Sequence, residues 1–386
     1  MAKRSAYLLV FAVMFLLVVG VVMLISTCAF AATTPSDDVY YDAKRQGVWL
    51  ALGLGVCWVA AAVDYHRWQK HVWWIYGAVI LLLVLCFVPG IGMEVNNEKR
   101  WISARLLGIS AIQLQPSELA KLAVAILLAH WFAMHPDCGK RFLKGFFLPS
   151  LFAGVLIGLV LFEVDMGTAA ILTGTFFLLL FVAGVNWKYL GLLAGGGVAG
   201  LIGMLQIAPD RMARIVAFMD IEGNKREAAF QQWIGLMALG SGGMDGRGLG
   251  SGRLKMLYMP FAHTDFIFPM VGEELGLRAT LLVVFAFVLV AVAGITIAFH
   301  APDRFGMLLG LGLVCFIVLQ AMLNIGVTTA VLPNTGLPLP FVSYGGSSLL
   351  GAMAAVGILL NVYRQGRQEE IESRFWVRGR RITPRV

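Results

Sequence analysis

Long apolar stretches recur along the whole chain, and polar residues gather in the segments between them. An apolar stretch of about 20 residues is long enough to cross roughly 30 Å of hydrocarbon as an α-helix. Helices satisfy their own backbone hydrogen bonds, as lipid requires, whereas a β-barrel would show short segments of alternating polarity. The pattern therefore predicts an all-α, polytopic membrane protein with about ten transmembrane helices. These helices are predicted near residues 7–28, 46–63, 72–92, 115–135, 146–162, 167–185, 189–207, 276–299, 305–326 and 345–363.

The composition agrees with this pattern and argues against a soluble globular protein. Hydrophobic residues occupy 59% of the 386 positions and charged residues 13%, whereas a soluble domain carries roughly a quarter charged residues. The cysteines are widely spaced and lie mostly in apolar stretches. We interpret them as small apolar residues rather than as a disulfide or metal framework.

The distribution of charge predicts the orientation in the membrane. The formal net charge is +8, and arginines crowd the tail of residues 364–386. Such a tail suits the anionic cytoplasmic leaflet, so the charge does not indicate nucleic-acid binding. Short loops on the same side are basic, which places both termini in the cytoplasm by the positive-inside rule. The basic loop residues are Arg67, Lys70, Lys140, Arg141, Lys144, Lys188 and Arg304.

Two segments on the opposite side are long, near residues 93–114 and 208–275. The second is far longer than most connections between helices. It contains amphipathic stretches, so we predict a structured, partly re-entrant extracytoplasmic loop. The chain shows no internal repeat and no separate soluble segment, which predicts a single transmembrane domain over residues 1–386.

Two segments rich in glycine or proline predict irregular backbone. Residues 240–252 lack the end of a phosphate-binding P-loop, and they favour a tight turn in which backbones approach closely. Residues 332–348 contain several prolines and glycines, which exclude a regular helix. Broken backbone in a membrane is tolerated where it lines a cavity or is buried in protein, and both alternatives stay open here.

Two charged residues enter the membrane edge on one predicted helix. Glu118 and Lys121 are spaced i, i+3 and share a helix face, just after Pro116 in the first turn. Charges in such helices usually mark a polar cavity or a substrate path. The alternative is an internal ion pair that only neutralises both charges.

Two acids, Glu163 and Asp165, lie at a predicted helix junction on the extracytoplasmic side. Such carboxylates bind divalent cations together with substrate phosphates. They also serve as helix caps, and the residues alone leave both alternatives open. Asp165 is therefore a candidate metal ligand, with Mg²⁺ or Mn²⁺ as a candidate cofactor.

An aspartate among aromatic residues is the sharpest candidate for chemistry. Asp265 lies just before a predicted spanning helix, next to Phe266 and Phe268. Partial desolvation raises the pKa of a carboxylate, which makes it a better general base near neutral pH. The alternative is an aspartate that only caps the helix.

Several longer motifs follow one another along the chain: Lys-Arg-Trp at 99–101, Gln-Pro-Ser-Glu-Leu-Ala-Lys at 115–121, Met-Gly-Thr at 166–168, Ala-Leu-Gly-Ser-Gly-Gly at 238–243, His-Thr-Asp-Phe-Ile-Phe at 263–268, Gly-Glu-Glu-Leu-Gly at 272–276 and Pro-Leu-Pro-Phe-Val-Ser-Tyr-Gly-Gly at 338–346. Taken in this order, they resemble the shape, elongation, division and sporulation family of bacteria. Val164 departs from the pattern, since many members have proline before the aspartate, and residues 97–98 stand where glycine and alanine are common. The details of residues 335–341 and 347–348 resemble division and sporulation members more than elongation members.

This resemblance implies a peptidoglycan glycosyltransferase that polymerises lipid II, an undecaprenyl-pyrophosphate-linked disaccharide peptide. The position of Asp265 matches the one held essential for polymerisation in the family. An inverting single displacement needs a base on the attacking hydroxyl, and the pyrophosphate leaving group needs positive charge. The candidate substrate-binding residues are Arg100, Glu118, Lys121, Arg211, Arg214 and Ser343.

The resemblance also implies a partner that crosslinks the product, a class B penicillin-binding protein. Two rival functions stay open from the residues. One is a transporter that flips lipid II, which would need a polar path through the midplane of the membrane. The other is a non-catalytic scaffold for division proteins.

Overall fold

The computed structural model describes residues 2–28, 40–95, 98–103, 113–207, 209–226, 229–254 and 264–379. Within these ranges the chain forms thirteen α-helices and three short β-strands. A 3-10 turn (Cys138–Lys140) and a π-helical turn (Phe142–Phe147) precede α6. The helices are α1 (Ala2–Cys28), α2 (Tyr41–Ala62), α3 (His66–Lys70), α4 (Val72–Leu85), α5 (Pro116–Met134), α6 (Leu148–Phe162), α7 (Met166–Val182), α8 (Trp187–Ile207), α9 (Pro209–Met219), α10 (Phe230–Gly242), α11 (Ile267–Phe299), α12 (Arg304–Thr328) and α13 (Gly346–Gly379).

Each predicted membrane span coincides with a helix. In the described part of the chain, 7 helices are long and apolar enough to cross a membrane. Two further helices, α4 and α7, are apolar but shorter, and α8, with 21 residues, occupies the remaining predicted position. The prediction of an all-α, multi-pass membrane protein is therefore confirmed. Some boundaries differ: the span predicted near residues 72–92 ends at Leu85, and α13 extends beyond the predicted residue 363 to Gly379.

The bundle has two ends, which we name by the residues found there. At the basal end, the start of α1, the end of α2 and the middle of α13 come together around Tyr7, Trp58 and Arg364. At the apical end, the end of α1 meets α11, where the Ser26 hydroxyl donates a hydrogen bond of 2.6 Å to Oε2 of Glu274. The starts of α5, α7 and α11 all lie at the apical end.

Helices α5 and α12 lie at the centre of the bundle, where small residues let helix backbones approach. A Cβ added to Gly312 of α12 would lie 3.0 Å from Cβ of Ala125 in α5. One added to Gly310 would lie 2.9 Å from Cβ of Ala298 in α11. Close packing of this kind, rather than hydrophobic exclusion, stabilises helix pairs in lipid.

A three-stranded antiparallel sheet, which the sequence analysis did not predict, follows α4. Its strands β1 (Gly92–Val95), β2 (Glu98–Ser103) and β3 (Gln113–Leu114) are adjacent in chain order. Ile102 of β2 faces Gly92 on one side and Leu114 on the other. Strands this short give no alternating pattern that distinguishes them from a loop. The sheet leads directly into α5 and so places Arg100 at the apical end.

Helix α11 begins earlier than the span predicted near residues 276–299, at Ile267. Gly276 interrupts it with φ 80° and ψ −179°, a conformation that glycine adopts without steric cost. The residues before this kink form a half-helix in which Phe268 and Met270 are 3% and 0% exposed. Together with α9 and α10, the half-helix shows that the described parts of the segment 208–275 are largely helical. A re-entrant path for the whole segment stays a prediction.

Candidate active site

Asp265 lies in the turn that precedes α11, at the apical end. Its Oδ1 accepts a hydrogen bond of 2.9 Å from the hydroxyl of Thr264. The N-cap position of α11 is Phe266, and no side chain caps that end of the helix, so the capping role considered for Asp265 is not observed. Phe266 and Phe268 are 0% and 3% exposed, which agrees with the predicted apolar surroundings. Residues 255–263 lie outside the described part of the chain.

The surroundings of Asp265 suit a general base. Burial raises the pKa of its carboxyl to about 6, because burial penalises the charged form. The hydrogen bond from Thr264 and the positive charge of Arg214 oppose this effect. Arg214 is exposed on α9, and its charge acts on Asp265. Arg211 lies on the same helix, but its side chain falls outside the described residues.

A buried amide holds the backbone of Asp265 in place. Asn324 of α12 is 1% exposed, and its Nδ2 donates to the main-chain oxygens of Asp265 and Leu337, both at 2.7 Å. It therefore ties the start of α11 to the segment between α12 and α13. The sequence did not link Asn324 to Asp265. The available signal was an amide within an apolar helix, since buried polar groups need partners.

Glu118 and Lys121 form an ion pair near the start of α5, with 2.6 Å between Oε2 and Nζ. Their side chains are 2% and 1% exposed. Nζ of Lys121 also donates to Oε1 of Gln320 at 2.6 Å and lies 5.7 Å from the ring centre of Phe316. This geometry is the internal ion pair considered as the alternative. A direct contact between either side chain and the substrate stays a prediction, and it requires the pair to be uncovered.

Two amides one turn apart on α12 connect this ion pair to Asp265. Nε2 of Gln320 donates to the main-chain oxygen of Pro338 at 2.9 Å. Nδ2 of Asn324 donates to the main-chain oxygen of Leu337, which directly precedes Pro338 in the chain. Buried amides of α12 thus hold the irregular segment between α12 and α13 through its main-chain oxygens. A displacement of this segment would therefore affect both the Glu118–Lys121 ion pair and Asp265.

Ser343, a predicted substrate-binding residue, stabilises the same irregular segment. It is 4% exposed, and its hydroxyl accepts a hydrogen bond of 2.8 Å from the N–H of Leu339. Its main-chain oxygen accepts one of 3.5 Å from Nε2 of Gln46. Within this turn Phe341 has φ 65°, which is unfavourable for a bulky residue. Binding of substrate by Ser343 stays a prediction.

Asp165 caps α7, which is one of the two roles considered for it. Its Oδ1 accepts the N–H of Thr168 at 3.0 Å, and its Oδ2 accepts the Thr168 hydroxyl at 2.8 Å and Nε2 of Gln115 at 3.0 Å. Nη1 of Arg100 lies 3.9 Å from Oδ1. The side chain of Asp165 is 1% exposed, so protein donors surround it. Asp165 as a metal ligand stays a prediction.

Arg100 forms a hydrogen bond with the loop between α6 and α7. Nη2 of Arg100 donates to the main-chain oxygen of Val164 at 2.6 Å. Val164 has φ 68°, which is unfavourable for a β-branched residue. Proline cannot adopt this conformation, since its ring fixes φ near about −65°. The loop therefore differs in backbone from any member with proline at this position.

Glu163, the other acid of this loop, is fully buried at 0% exposure. Burial raises the pKa of its carboxyl to about 8, and the negative charge of Asp165 acts in the same direction. The Cys86 thiol and the Arg100 charge oppose the shift. Glu163 is therefore mostly neutral at pH 7, which does not suit a phosphate-bound cation.

The glycine-rich stretch surrounds the end of the half-helix. The backbone N–H groups of Gly250 and Arg253 donate to the carboxylates of Glu274 and Glu273 at 2.9 and 2.8 Å. A Cβ added to Gly246, which has φ 79°, would collide with the backbone of Glu274. The interpretation as a tight turn in which backbones approach closely is confirmed. It anchors the half-helix that begins beside Asp265.

Comparison with known proteins identifies relatives over nearly the whole chain. A family model described as "Cell cycle protein", named for FtsW, RodA and SpoVE, matches residues 7–368. A probable peptidoglycan glycosyltransferase FtsW of Geobacter sp. (strain M18) is 39% identical, covering 89% of this chain and 92% of that protein. Stage V sporulation protein E of Bacillus subtilis (strain 168) is 37% identical, covering 93% of this chain and 97% of that protein.

Two solved structures share the fold. One is a chain from a peptidoglycan synthase complex that coordinates polymerization and crosslinking. It has a TM-score of 0.77 at 28% identity, covering 93% of this chain and 98% of that chain. The other is the rod shape determining protein RodA of Thermus thermophilus, with a TM-score of 0.67 at 27% identity, covering 92% of this chain and 95% of that chain.

Proposed function

We infer that this chain, which belongs to the FtsW, RodA and SpoVE family of cell cycle proteins, is a peptidoglycan glycosyltransferase. Relatives named as probable peptidoglycan glycosyltransferases match most of its length, for example at 39% and 38% identity. The chain is an enzyme of cell wall synthesis and a multi-pass membrane protein. The FtsW and sporulation relatives support a role in division or sporulation.

The substrate of this enzyme is lipid II, and the site lies at the extracytoplasmic face of the cytoplasmic membrane. The 4-hydroxyl of an acceptor sugar attacks the anomeric carbon of the muramyl donor. A new glycosidic bond forms, the bond to the lipid pyrophosphate breaks, and the anomeric centre inverts. Asp265 accepts the proton of the attacking hydroxyl, and the electron pair leaves with the pyrophosphate.

The observation that carries this assignment is the state of Asp265. Its carboxyl has a pKa of about 6, so it is mostly ionised at neutral pH and still a useful base. The Asn324 amide holds its backbone at 2.7 Å, which limits the loss of orientation during the reaction. A flippase would instead need polar groups along the midplane, whereas these groups gather at the apical end.

Positive charge for the leaving group comes first from Arg214, whose charge already acts on Asp265. An exposed guanidinium binds phosphate oxygens through a planar fork. Arg211 shares helix α9 with it. Arg100 is 13% exposed and engaged with the loop at Asp165, and Lys121 is 1% exposed, so both would need a rearrangement to reach the pyrophosphate.

The described residues do not fit a resident divalent cation. Among them, no group of three His, Cys, Asp or Glu side chains is close enough to hold a metal ion. Protein donors surround the carboxylate of Asp165, and burial raises the pKa of Glu163 to about 8. We therefore assign no step of the reaction to a metal. A cation that arrives with the pyrophosphate would belong to the substrate complex.

Polymerisation of labelled lipid II by the purified chain in liposomes tests the function. Wild type should form glycan strands, and Asp265→Asn should not. Asp245→Asn is the matched control, because Asp245 is an exposed acid of the glycine-rich stretch 240–252 and pairs with Arg278. Transfer of labelled lipid II across the bilayer without polymer would support the flippase. Neither activity, with intact binding to division proteins, would support the scaffold.

The partner that crosslinks the product is a class B penicillin-binding protein with a single spanning helix. The similarity to a chain from a complex that coordinates polymerization and crosslinking supports this. Contact through apolar helix faces would follow from close packing in lipid. Co-purification after mild detergent extraction tests the complex, and polymerisation rates with and without the partner test whether it regulates Asp265.

Both termini lie in the cytoplasm in this proposal, with the basal end inside. The basic residues of the short basal loops support it. A cysteine placed at Lys140 should react with an impermeant reagent only in inverted membrane vesicles. Labelling in intact cells would instead show that the basal end faces the outside.

A further inference from the structure

A groove lies at the basal end, between α1, α2 and α13. Its volume is about 380 Å³, and its wall includes Val10 of α1, Trp58 of α2 and Leu360 of α13. Val10 and Trp58 are 41% and 74% exposed, so the described part of the chain does not cover them. Two arginines of α13, Arg364 and Arg367, complete the lining.

The groove changes from apolar to cationic along its length. Leu360, Arg364 and Arg367 follow at spacings of four and three, so they share one face of α13. The seven residues from Leu360 to Arg367 span about 10 Å along the helix. This separation matches the distance between the headgroup of a phospholipid and the upper part of its acyl chains. Val10 lies inside α1 and Trp58 before the end of α2, so the apolar part points into the bilayer.

The two guanidinium groups are available to a ligand. Arg364 and Arg367 are exposed, and among the described residues neither takes part in a hydrogen bond or an ion pair. Arg364 also borders a neighbouring polar cavity whose lining includes Asp64 and Glu369. Among the described residues that line the groove itself, the charged ones are Arg364 and Arg367.

We propose that this groove binds one anionic phospholipid of the basal leaflet, which is the cytoplasmic leaflet in the orientation proposed above. The phosphate lies at Arg364 and Arg367, whose planar donors match phosphate oxygens. An acyl chain lies along Val10, Trp58 and Leu360. Basic pockets between spanning helices on this side are suited to anionic headgroups. One bound lipid then joins α1, α2 and α13 at the end opposite to Asp265.

The test is lipid binding to the full chain in a non-ionic detergent, measured by native mass spectrometry. The probes are phosphatidylglycerol, which is anionic, and phosphatidylcholine, which is zwitterionic with similar chains. Wild type should retain phosphatidylglycerol in preference. Each arginine should account for roughly a fivefold change in affinity, so R364Q/R367Q should weaken phosphatidylglycerol binding roughly 25-fold. Val10→Trp, which fills the apolar part without changing charge, should weaken binding of both lipids.

The double variant K140Q/R141Q is the matched control, because it removes two exposed basal charges outside the groove. Equal retention of both lipids by wild type would overturn the proposal. So would equal losses in R364Q/R367Q and K140Q/R141Q, with all variants eluting as folded protein. A photo-reactive residue in place of Trp58 should cross-link phospholipid in membranes. A single protein adduct there would assign the groove to a partner helix instead.

Discussion

Lowering the pH should inhibit the enzyme through Asp265 before it unfolds the protein. Burial raises the pKa of this carboxyl to about 6, so about nine-tenths of the molecules carry the carboxylate at pH 7 and about one-tenth at pH 5. Only the carboxylate accepts the proton of the attacking hydroxyl. The value of kcat/KM should therefore fall about tenfold between pH 7 and pH 5. A carboxyl with an ordinary pKa of about 3.9 would stay about nine-tenths ionised at pH 5.

The charge of Arg214 gives this prediction a second, directional test. Because that charge lowers the pKa of Asp265, Arg214→Gln should move the acid limb of the pH–rate profile to higher pH. Arg226→Gln, an exposed arginine in the turn after α9, is the matched control and should leave the limb unchanged. Asp265→Asn should lower the plateau by a factor of roughly 10² or more.

The assay is initial polymerisation of labelled lipid II in liposomes at low substrate concentration, from pH 5 to pH 8. Folding at each pH is checked by thermal unfolding of the same preparation. A flat profile down to pH 5, or near-normal polymerisation by a well-folded Asp265→Asn protein, would refute the reasoning. An acid limb that Arg214→Gln leaves in place would show that the Arg214 charge does not act on the base.

Three further predictions concern buried polar groups. Lys121→Met alone leaves Glu118 buried without its partner and should cost about 3–5 kcal/mol of stability, whereas adding Glu118→Leu should restore most of that stability. Thermal unfolding in detergent measures both effects. A double variant that is stable but inactive would assign the pair a role in the reaction. Glu163 keeps its proton up to about pH 8 when folded but only to about pH 4.5 when unfolded, so its contribution to stability falls as the pH rises between these values. Glu163→Gln should therefore raise the unfolding temperature at pH 8.5 and change it little at pH 4.5, and equal changes at both would contradict the burial argument. Asn324→Ala leaves the main-chain oxygen of Asp265 without its donor and should lower kcat at least tenfold with little change in KM, and an unchanged kcat would exclude a positioning role.

The helices were predictable because the signal for a membrane span is local. An apolar stretch of the right length must form a helix in lipid whatever its neighbours do. The start of α5 at Pro116 and the buried aromatic residues around Asp265 follow from the same short-range patterns. The sheet of β1 to β3 was missed, because strands of two to six residues leave no period to detect.

The short motifs were found in sequence, but most of their roles were left undecided by it. The sequence left Asp165 as a helix cap or a metal ligand, and only the structure shows the hydrogen bonds from Thr168 and Gln115 by which it caps α7 and is held. Glu118 and Lys121 could line a cavity or neutralise each other from sequence alone, and only the structure shows that the two side chains are buried and paired.

The sequence by itself determined the membrane class, the positions of the spanning helices, the family and the candidate base Asp265. Tertiary structure decided which polar groups pair. Lys121 meets Gln320 across 199 positions of the chain, and Asn324 meets Asp265 across 59. The kink at Gly276 likewise depends on the glycine-rich loop packed against it. Local hydrophobicity specifies a helix, but the partner of a buried charge or amide depends on how the helices pack, because the energy of an unpaired polar group is set by its surroundings.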